Sequence, residues 1–538
     1  MSVASILNND DNIKMVSFDF ANTAFSLLPP LVAIVMAVMT RRVLLSLGVG
    51  ILVGVLMVNG FAPVDSITDI ASRALGLFWD DGAVDTWNVP LLGFLIVLGM
   101  VIALINASGA AKAFAQWART RIRSRKNARL MTMALGFVVF IDDYFNTLSV
   151  GSVAKPVADD HKVSREELAY GVDSTAAPVC VMAPISSWGA YIVGLIGTIF
   201  AARELSGGAL TSFLEMIPMN LYAIFALAML ACVIVFDIRI GPMAAAAKRA
   251  RETGVLWDTD KGNPPGVDES LPVADNGSVW GLVAPLLTLM VASVYFILST
   301  GNAALAAEGE AFTLMGALEE TETTIALFYA SLVSLAVAAG MALRQGLSSV
   351  IGQALVSGTK SMLPAVYILL FAWTIAGVIG DLETGTYLAS FVEASMPMWL
   401  LPVLIFLLAG LCAFATGTSW GTFAIMLPIA ADVAIAADIA MLLPLMAAVL
   451  AGAVFGDHCS PISDTTVLSG TGAGCHHIDH VTTQLPYALT VAAIATAGYL
   501  AIGITGSAAV GFAVSAIALV AAVAVLRGVS ARHTLAKA

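Results

Sequence analysis

The residues best suited to chemistry lie in one polar stretch, Gly456–Thr466, within a long run of Ala, Val, Leu and Ile. A charged side chain in a membrane-inserted segment costs about 2.5–3.5 kcal/mol, so carboxylates at such positions favour a functional role. Pro461 removes a helical hydrogen bond and leaves carbonyl groups free to face a ligand. The candidate ligand residues are Asp457, Ser460, Ser463, Asp464 and Thr465, and His458 is a candidate proton relay.

Three more polar groups interrupt apolar sequence in the same way. One follows Phe140, one surrounds Pro178 and Pro184, and one follows Phe414. Carboxylate, hydroxyl and carbonyl oxygens are hard ligands that suit Na⁺ better than soft metals. The sequence therefore predicts one cation site that draws on all four groups. The further candidates are Asp142, Asp143, Asn146, Asp173, Ser174, Thr175, Ser186, Ser187, Thr416, Thr418 and Ser419.

A carboxylate in such a site supports a mechanism of exchange. Burial favours its protonated form, whereas a bound Na⁺ favours its charged form. One group therefore holds either a proton or a cation, and a site that alternates between the two faces of a membrane exchanges them. We assign this role to Asp173 and Asp457, with His458 as an accessory relay.

Several of these residues also have plainer roles open to them. Ser and Thr in membrane helices often bond to the backbone of their own helix. Asp142 or Asp143 can cap a helix at a turn, and Trp188 and Trp420 suit packing. The segment Cys475–His480 contains three His and invites a metal or pH-sensing interpretation. Its predicted position on a cytoplasmic turn, without ligands from elsewhere, disfavours that interpretation.

Composition places the chain among polytopic membrane proteins. Of its 538 residues, 59% are hydrophobic and 12% are charged, against roughly 25% charged in a soluble domain. The mean hydropathy is +0.91. A net charge of −12 is not the signature of a nucleic-acid-binding protein. Five isolated Cys support neither a disulfide framework nor a zinc finger. We expect no enzymatic activity and no cofactor beyond the transported Na⁺ and H⁺.

Basic residues orient the predicted spans. Lys and Arg cluster after the first span, the third span and the span at 211–237, and such loops remain cytoplasmic. All of these basic loops lie on the cytoplasmic side if 129–157 and 398–430 are re-entrant hairpins and if 167–202 and 440–470 each cross once as broken helices. We predict an all-α polytopic membrane protein with about eleven crossings, its amino terminus outside and its carboxyl terminus inside. The uninterrupted spans are 25–40, 43–60, 89–107, 211–237, 278–300, 323–342, 362–380, 484–505 and 507–527.

The two halves of the chain echo each other in opposite orientation. Pro90 and Pro364 stand 274 positions apart, and Pro184 and Pro461 stand 277 apart. Seven Lys or Arg follow the first-half span, whereas the matching second-half span has none after it until Arg527. Inverted repeats of this kind characterise secondary transporters, with the site near the membrane midplane. The predicted divisions are 1–42 (external tail and first span), 43–237 (repeat 1), 238–322 (cytoplasmic loop, linking span and external loop), 323–505 (repeat 2) and 506–538 (last span and cytoplasmic tail).

The polar motifs closely resemble the signature of the NhaC-type Na⁺/H⁺ antiporter family. The resemblance rests on Gly456–Thr466, continued by Thr471–His480, and on the first-half runs Phe140–Asn146 and Asp173–Pro178. It implies membership of the ion-transporter superfamily, with paired re-entrant hairpins and two broken helices. It also implies a homodimer with an elevator-like transport domain in the cytoplasmic membrane of a prokaryote.

The same resemblance implies exchange of Na⁺, or Li⁺, for H⁺. Similar proteins exchange malate and lactate or carry amino acids, so a transporter of organic acids or amino acids coupled to Na⁺ or H⁺ remains the alternative. Apart from Lys155, the core motifs contain no Lys or Arg to hold an organic anion, which favours bare cations. A channel needs no inverted pair of broken helices and is disfavoured. We expect small cations, membrane lipid and a second copy of the chain as partners, and no nucleic acid.

Overall fold

A computed structural model of the chain describes residues 20–40, 42–80, 82–119, 121–140, 143–184, 186–205, 207–264, 274, 276–390 and 397–535. The candidate residue Asp142 lies outside the described residues, and so does the side chain of Ser187. The backbone of Ser187 is described and begins a helix.

Helices make up most of the described chain, because a membrane interior requires the backbone groups of each spanning segment to be paired within that segment. The only strands in the described ranges form a short antiparallel hairpin, β1 (Trp79–Asp80) and β2 (Ala83–Val84). The first-half helices are α1 (Leu28–Thr40), α2 (Val43–Val58), α3 (Pro63–Gly76), α4 (Asn88–Ala107), α5 (Ala110–Arg119), α6 (Arg125–Val138), α7 (Asp143–Asp160), α8 (Arg165–Asp173), α9 (Ala177–Cys180), α10 (Ser187–Ala202), α11 (Ala209–Met216) and α12 (Leu221–Val235).

The second half repeats the alternation of long helices and helices ending at polar breaks. A long helix, a short helix and a pair of helices separated at Gly417 precede the break at Pro461. The remaining helices are α13 (Gly241–Thr253), α14 (Trp280–Glu308), α15 (Leu314–Glu319), α16 (Thr323–Arg344), α17 (Ser348–Asp381), α18 (Thr384–Ala389), α19 (Leu401–Thr416), α20 (Ser419–Ala437), α21 (Leu442–Cys459), α22 (Asp464–Ala473), α23 (His477–Thr505) and α24 (Ala508–Leu535).

Seven helices in the described part of the chain are long and apolar enough to cross a membrane. They include segments that match the predicted spans 89–107, 278–300, 323–342, 484–505 and 507–527. The chain is therefore an all-α polytopic membrane protein, as composition predicts. Shorter apolar helices such as α19 accompany the seven, so the figure of eleven crossings stays a prediction.

The predicted span 211–237 is not one straight helix. It divides into α11, a short 3₁₀ turn and α12, with a bend of 46° between the two arms. Pro218 in the turn lacks an N–H to continue the helix. Asn220 then caps α12, because its side chain accepts a hydrogen bond from the Ala223 N–H at 3.4 Å.

Close backbone contact joins the two halves beside the site. A Cβ placed on Gly151 of α7 would lie 2.5 Å from the carbonyl carbon of Gly472 in α22. A Cβ on Gly472 would likewise lie 2.4 Å from the Thr147 carbonyl oxygen. Only glycine at both positions permits this approach, which holds the first-half helix α7 against the second-half helix α22.

Buried ion pairs fix the start of α8, the helix that carries Asp173. Ser164 and Glu167 form a capping box at its amino end. The buried Glu167 carboxylate also receives Arg125 at 2.7 Å and Arg239 at 2.9 Å. Removing one partner of a buried pair typically costs about 3–5 kcal/mol, because it leaves an uncompensated charge. These contacts therefore give α8 a fixed position relative to α6 and to the segment between α12 and α13.

Candidate functional site

The polar stretch Gly456–Thr466 forms a break between two helices. Helix α21 ends at Cys459, and α22 begins at Asp464. Pro461 lies in the gap, and Ser463 caps α22 by accepting a hydrogen bond from the Thr466 N–H at 3.3 Å. The sequence breaks the helix here because Pro461 cannot donate and Ser463 is a favoured N-cap.

Hydroxyl groups at this break are directed at Asp457, and we call Asp457, Ser463, Asp464 and Thr465 the Asp457 cluster. The Thr465 hydroxyl donates to Asp457 Oδ2 at 2.7 Å. Thr465 in turn lies 2.8 Å from the Ser463 hydroxyl, which must donate to it because the Thr465 proton is already engaged. The other carboxylate oxygen, Asp457 Oδ1, is buried and has no hydrogen-bond partner among the described residues. One oxygen of this carboxylate is therefore held by a hydrogen bond, and the other is buried without one.

A cavity of about 360 Å³ opens beside the Asp457 cluster. Asp464 and Tyr144 lie in its wall, and the Tyr144 hydroxyl donates to Asp464 Oδ2 at 2.5 Å. Thr418 and Gly417, between α19 and α20, form another part of the wall. Gly417 has φ +73° and a Cβ there would lie 2.7 Å from the Ile462 carbonyl oxygen, so this turn requires glycine. The cavity brings both predicted second-half motifs to one space.

The first-half break surrounds Asp173 with donors, and we call Asp173, His458, Ser469, His480 and Gln484 the Asp173 cluster. The Ser469 hydroxyl donates to Asp173 Oδ1 at 3.0 Å. His480 Nε2 lies 3.0 Å and Gln484 Nε2 lies 2.6 Å from Asp173 Oδ2. Both carboxylate oxygens of this buried residue are thus engaged by protein groups.

His458 contacts Asp173 rather than acting through its sequence neighbour. Its Nε2 lies 3.8 Å from Asp173 Oδ2 and 3.4 Å from the Ser174 hydroxyl. Its Nδ1 lies 2.9 Å from the hydroxyl of Tyr222. Because α21 carries Asp457 and His458 in succession, the helix directs one side chain to each cluster.

Comparisons with known proteins establish the family. The model of the Na⁺/H⁺ antiporter family matches residues 179–504, which is more than half of the chain. A Haemophilus influenzae protein described only as uncharacterized is 44% identical over 524 residues, covering 97% of this chain and 98% of its own. The chain belongs to the Na⁺/H⁺ antiporter family.

Two other proteins match this antiporter-family chain over shorter segments. The malate-2H⁺/Na⁺-lactate antiporter of Bacillus subtilis is 34% identical over 159 residues, 27% of this chain and 32% of that protein. An uncharacterized Na⁺/H⁺ antiporter of Haemophilus influenzae is 35% identical over 123 residues, 22% of this chain and 25% of its own. The family resemblance drawn from the motifs is confirmed, and the chain is a multi-pass membrane transporter.

Residues of the other first-half motif lie at the junction of α6, α7 and α10. Asp143 begins α7 and accepts a hydrogen bond from the buried Trp188 Nε1 at 2.9 Å. Trp188 and Trp420 have the packing role that the sequence predicts, here against each other, and the bond of Trp188 to Asp143 adds a second role. Asn146 donates to the carbonyl groups of Gly136, Val139 and Thr175 at 2.8, 2.6 and 3.2 Å, which ties this motif to the Asp173 break.

Many candidate hydroxyls donate to backbone carbonyls. Thr175 and Thr416 donate four residues back, the plainer role that the sequence leaves open, whereas Ser419 and Ser460 donate to a neighbouring helix. Thr416 and Thr418 both line the cavity, and the Thr418 carbonyl accepts a hydrogen bond from Thr422 at 3.0 Å. The hydroxyl donors and their carbonyl acceptors are Thr175 to Gly171 at 3.0 Å, Ser186 to Cys180 at 2.7 Å, Thr416 to Cys412 at 2.9 Å, Ser419 to Ala453 at 3.2 Å and Ser460 to Phe414 at 2.8 Å.

Ser469, His480 and Gln484 belong to the site although the sequence does not predict them there. His480 and Gln484 stand four positions apart on α23, so they share one helix face. That spacing is a signal for two polar groups with a common target, although it does not name Asp173. The three His of the 475–480 segment separate in the structure, where His477 Nε2 contacts the Pro461 carbonyl at 2.7 Å. The described residues contain no group of three or more His, Cys, Asp or Glu able to hold a metal ion.

A loop contact anchors the start of α23. Lys261 Nζ lies 2.5 and 2.7 Å from the two carboxylate oxygens of Asp479 and 2.8 Å from Asp258. Burial lowers the pKa of Lys261, but its hydrogen bonds to Asp258 and Asp479 outweigh that effect, and the pKa is raised above its usual value. The ammonium therefore stays charged and holds the helix end that presents His480 and Gln484.

Proposed function

We propose that this chain is a secondary active Na⁺/H⁺ antiporter, which exchanges Na⁺ or Li⁺ for H⁺ by alternating access. Family membership supports this function. The observation that carries it is the buried Asp457 Oδ1, which lacks a partner in the described part of the chain while Thr465 holds Oδ2. A buried carboxylate oxygen without a donor is costly unless it binds a proton or a cation.

Asp457 is the exchanging group in this proposal. When Na⁺ is present, Asp457 Oδ1 and neighbouring oxygens of the Asp457 cluster take the place of the ion's hydration shell. When Na⁺ leaves, a proton on Asp457 removes the uncompensated charge from the membrane interior. Cation and proton therefore compete for one carboxylate, and no covalent chemistry takes place.

Asp173 holds the site together in this proposal rather than carrying the ion. Its two oxygens accept hydrogen bonds from Ser469, His480 and Gln484. These donors come from two second-half helices, α22 and α23, while Asp173 belongs to the first half. His458 provides a proton path between the two clusters, since it follows Asp457 on α21 and lies against Asp173.

We further propose an inverted repeat with two re-entrant hairpins, α6–α7 and α19–α20, and two broken helices, α8–α10 and α21–α22. The order of elements supports it, because each half has a long helix, a short helix, a helix pair and then a helix broken at proline. We propose that the protein works as a homodimer with an elevator-like transport domain. We place it in the cytoplasmic membrane of a prokaryote, with its amino terminus outside and its carboxyl terminus inside.

The function is tested with purified protein in vesicles that contain a pH-sensitive dye. A pH gradient is imposed across the membrane, and Na⁺, Li⁺, K⁺ or choline is then added outside. We expect Na⁺ and Li⁺ to dissipate the gradient, while K⁺ and choline leave it unchanged. The control is the Asp457→Asn protein at equal density, and a parent protein that fails to respond to any cation contradicts the proposal.

An organic-acid exchanger on the same scaffold is the second candidate. It is favoured by the partial match to the malate-2H⁺/Na⁺-lactate antiporter. The donors around Asp173 and Asp457 weigh against it, since they are hydroxyl, imidazole and amide groups without a Lys or Arg. Uptake of labelled malate, lactate or amino acids into the same vesicles, with Na⁺-driven pH changes absent, would establish the second candidate instead.

A further inference from the structure

A basic cavity of about 520 Å³ lies apart from both carboxylate clusters. Its walls come from the start of α6, the residues after α7, the end of α12 and helix α13. The charged residues in its walls are Arg125, Lys126, Lys162, Asp237 and Arg251.

The acidic groups near the cavity are already paired with arginines. Asp237 accepts from Arg251 at 2.9 Å, lies 3.5 Å from Arg129 and contacts Arg239. Glu167 accepts a hydrogen bond from Arg125 Nη2 at 2.7 Å. Four arginines therefore share two carboxylates, so positive charge exceeds negative charge even without the lysines.

Positive charge remains in excess after these pairs are made. Arg125 Nε and Nη1 have no hydrogen-bond partner among the described residues. Lys126 and Lys162 are exposed and make no ion pair in the part of the chain that the structure describes. This local surplus of cations occurs in a chain with a net charge of −12. The cavity is therefore suited to an anion, and most of all to one with several oxygen acceptors.

An exposed apolar surface borders the same cavity. Val235 in its wall is 42% exposed, and the adjacent Phe236 is 44% exposed. Both stand at the end of α12, a helix whose residues are almost all apolar, as in a membrane interior. The Arg527 guanidinium lies 4.6 Å from the centre of the Phe236 ring, so cation and apolar surface meet here. Adjacent basic and apolar surfaces of this kind match the boundary between lipid headgroups and acyl chains.

We propose that this cavity binds the phosphate-bearing headgroup of an anionic membrane lipid. Lys126 and Lys162 contact the phosphate oxygens, the buried Arg125 guanidinium adds positive charge behind them, and the acyl chains lie along Val235 and Phe236. His161 takes no part, because its two ring nitrogens face the carbonyl groups of Val157 and Ile122 at 2.9 and 3.0 Å. The lipid would join α6, α7 and α12 at the membrane surface and so stabilise the folded protein.

The test compares the full-length parent with Lys126→Gln/Lys162→Gln, in a neutral detergent with phosphatidylglycerol or phosphatidylcholine added stepwise. The matched control is Arg344→Gln/Lys360→Gln, which removes the same charge from exposed positions on α16 and α17. The readout is the midpoint of thermal unfolding, because a ligand that binds only the folded state raises it. Both lysines are exposed and unpaired in the described structure, so the variant is expected to fold like the parent.

We expect phosphatidylglycerol to raise the midpoint of the parent and of the control, and phosphatidylcholine to leave it unchanged. The lysine variant should need about tenfold more phosphatidylglycerol for half of the same rise, since each basic residue near the lipid surface contributes to the attraction. Equal responses of the parent and the lysine variant would overturn the proposal. A rise produced by inorganic phosphate alone, at the concentration of the lipid, would also overturn it in favour of a free anion. Neither result depends on transport activity.

Discussion

Two buried aspartates at the two helix breaks differ in how many of their carboxylate oxygens accept hydrogen bonds from the protein. Asp173 has donors on both oxygens, supplied by Ser469, His480 and Gln484. Asp457 has a donor on Oδ2 only, and its Oδ1 has no partner in the described structure. A carboxylate whose two oxygens both accept hydrogen bonds from the protein suits an anchor. A carboxylate with one oxygen that accepts none can exchange ligands there. Two aspartates with equal sequence signals therefore have different hydrogen-bond surroundings in the structure.

The two clusters also differ in their contact with the cavity. Its wall includes Asp464 of the Asp457 cluster and no member of the Asp173 cluster. The cavity therefore gives access to the Asp464 side chain, while Asp457 lies buried behind its wall. The Asp173 side is enclosed by protein groups. Mutations at the two positions should accordingly differ in kind, and the following experiments test that difference.

The largest expected effect is the loss of exchange in Asp457→Asn. An amide carries neither a proton for release nor a charge for Na⁺, so we expect the rate to fall by about 100-fold or more, the upper range for altered metal-site groups. The amide oxygen still accepts from Thr465, so the thermal midpoint should stay near that of the parent. Dye-loaded vesicles and thermal unfolding measure the two quantities. Substantial exchange in this variant would remove Asp457 from the proposed role.

Asp173→Asn should reverse that pattern and affect stability most. Its new NH₂ group would face donors from Ser469, His480 or Gln484, which leaves buried donors unsatisfied at a cost of about 1–3 kcal/mol. We expect a lower thermal midpoint and a partial loss of exchange per folded molecule. A stable Asp173→Asn protein with no exchange would instead assign ion transport to Asp173.

A double-mutant cycle measures how closely Gln484 is coupled to each aspartate. Combining Gln484→Ala with Asp173→Asn should give a coupling energy within the range of about 0.5–3 kcal/mol found for residues in contact. Combining Gln484→Ala with Asp457→Asn should be close to additive in stability. Coupling of the same size in both cycles would mean that the two clusters act as a single unit.

Thr465→Val tests the donor that holds Asp457. Loss of one hydrogen bond is worth about 0.5–1.5 kcal/mol, so we expect a several-fold higher Na⁺ concentration for half-maximal exchange. Thr471→Val is the matched control, since its hydroxyl donates to the Val467 carbonyl on the same helix at 2.9 Å. An equal effect of both substitutions would indicate a general change in α22 rather than a change at Asp457.

Tyr144→Phe should have the smallest effect in this series. The change removes the hydroxyl that donates to Asp464 at the cavity wall. Water in the open cavity can replace that donor at little cost. We expect exchange close to the parent rate, measured with the same vesicles. A loss as large as that of Asp457→Asn would show that Asp464, rather than Asp457, dominates the cluster.

Local signals in the sequence account well for the broken helices. Pro461 with Ser463, and Pro178 with Pro184, mark the breaks because proline lacks an N–H and serine is a favoured cap. Most long apolar helices are equally predictable, since they follow from the run length of apolar residues. The bend within 211–237 was missed, because hydropathy alone does not weigh the effect of Pro218 inside an apolar run.

By itself, the sequence determined the membrane class, the family motifs and the acidic residues at the breaks. These properties depend on residue type and short spacing, which can be read without a fold. Only the tertiary structure decided that His480 reaches Asp173 across 307 positions, and that the His458 ring lies against Asp173. Such pairs depend on how α8, α21 and α23 pack together. The tertiary structure therefore distinguishes an aspartate with donors on both oxygens from one with a donor on a single oxygen. Residue types and spacing do not show this difference.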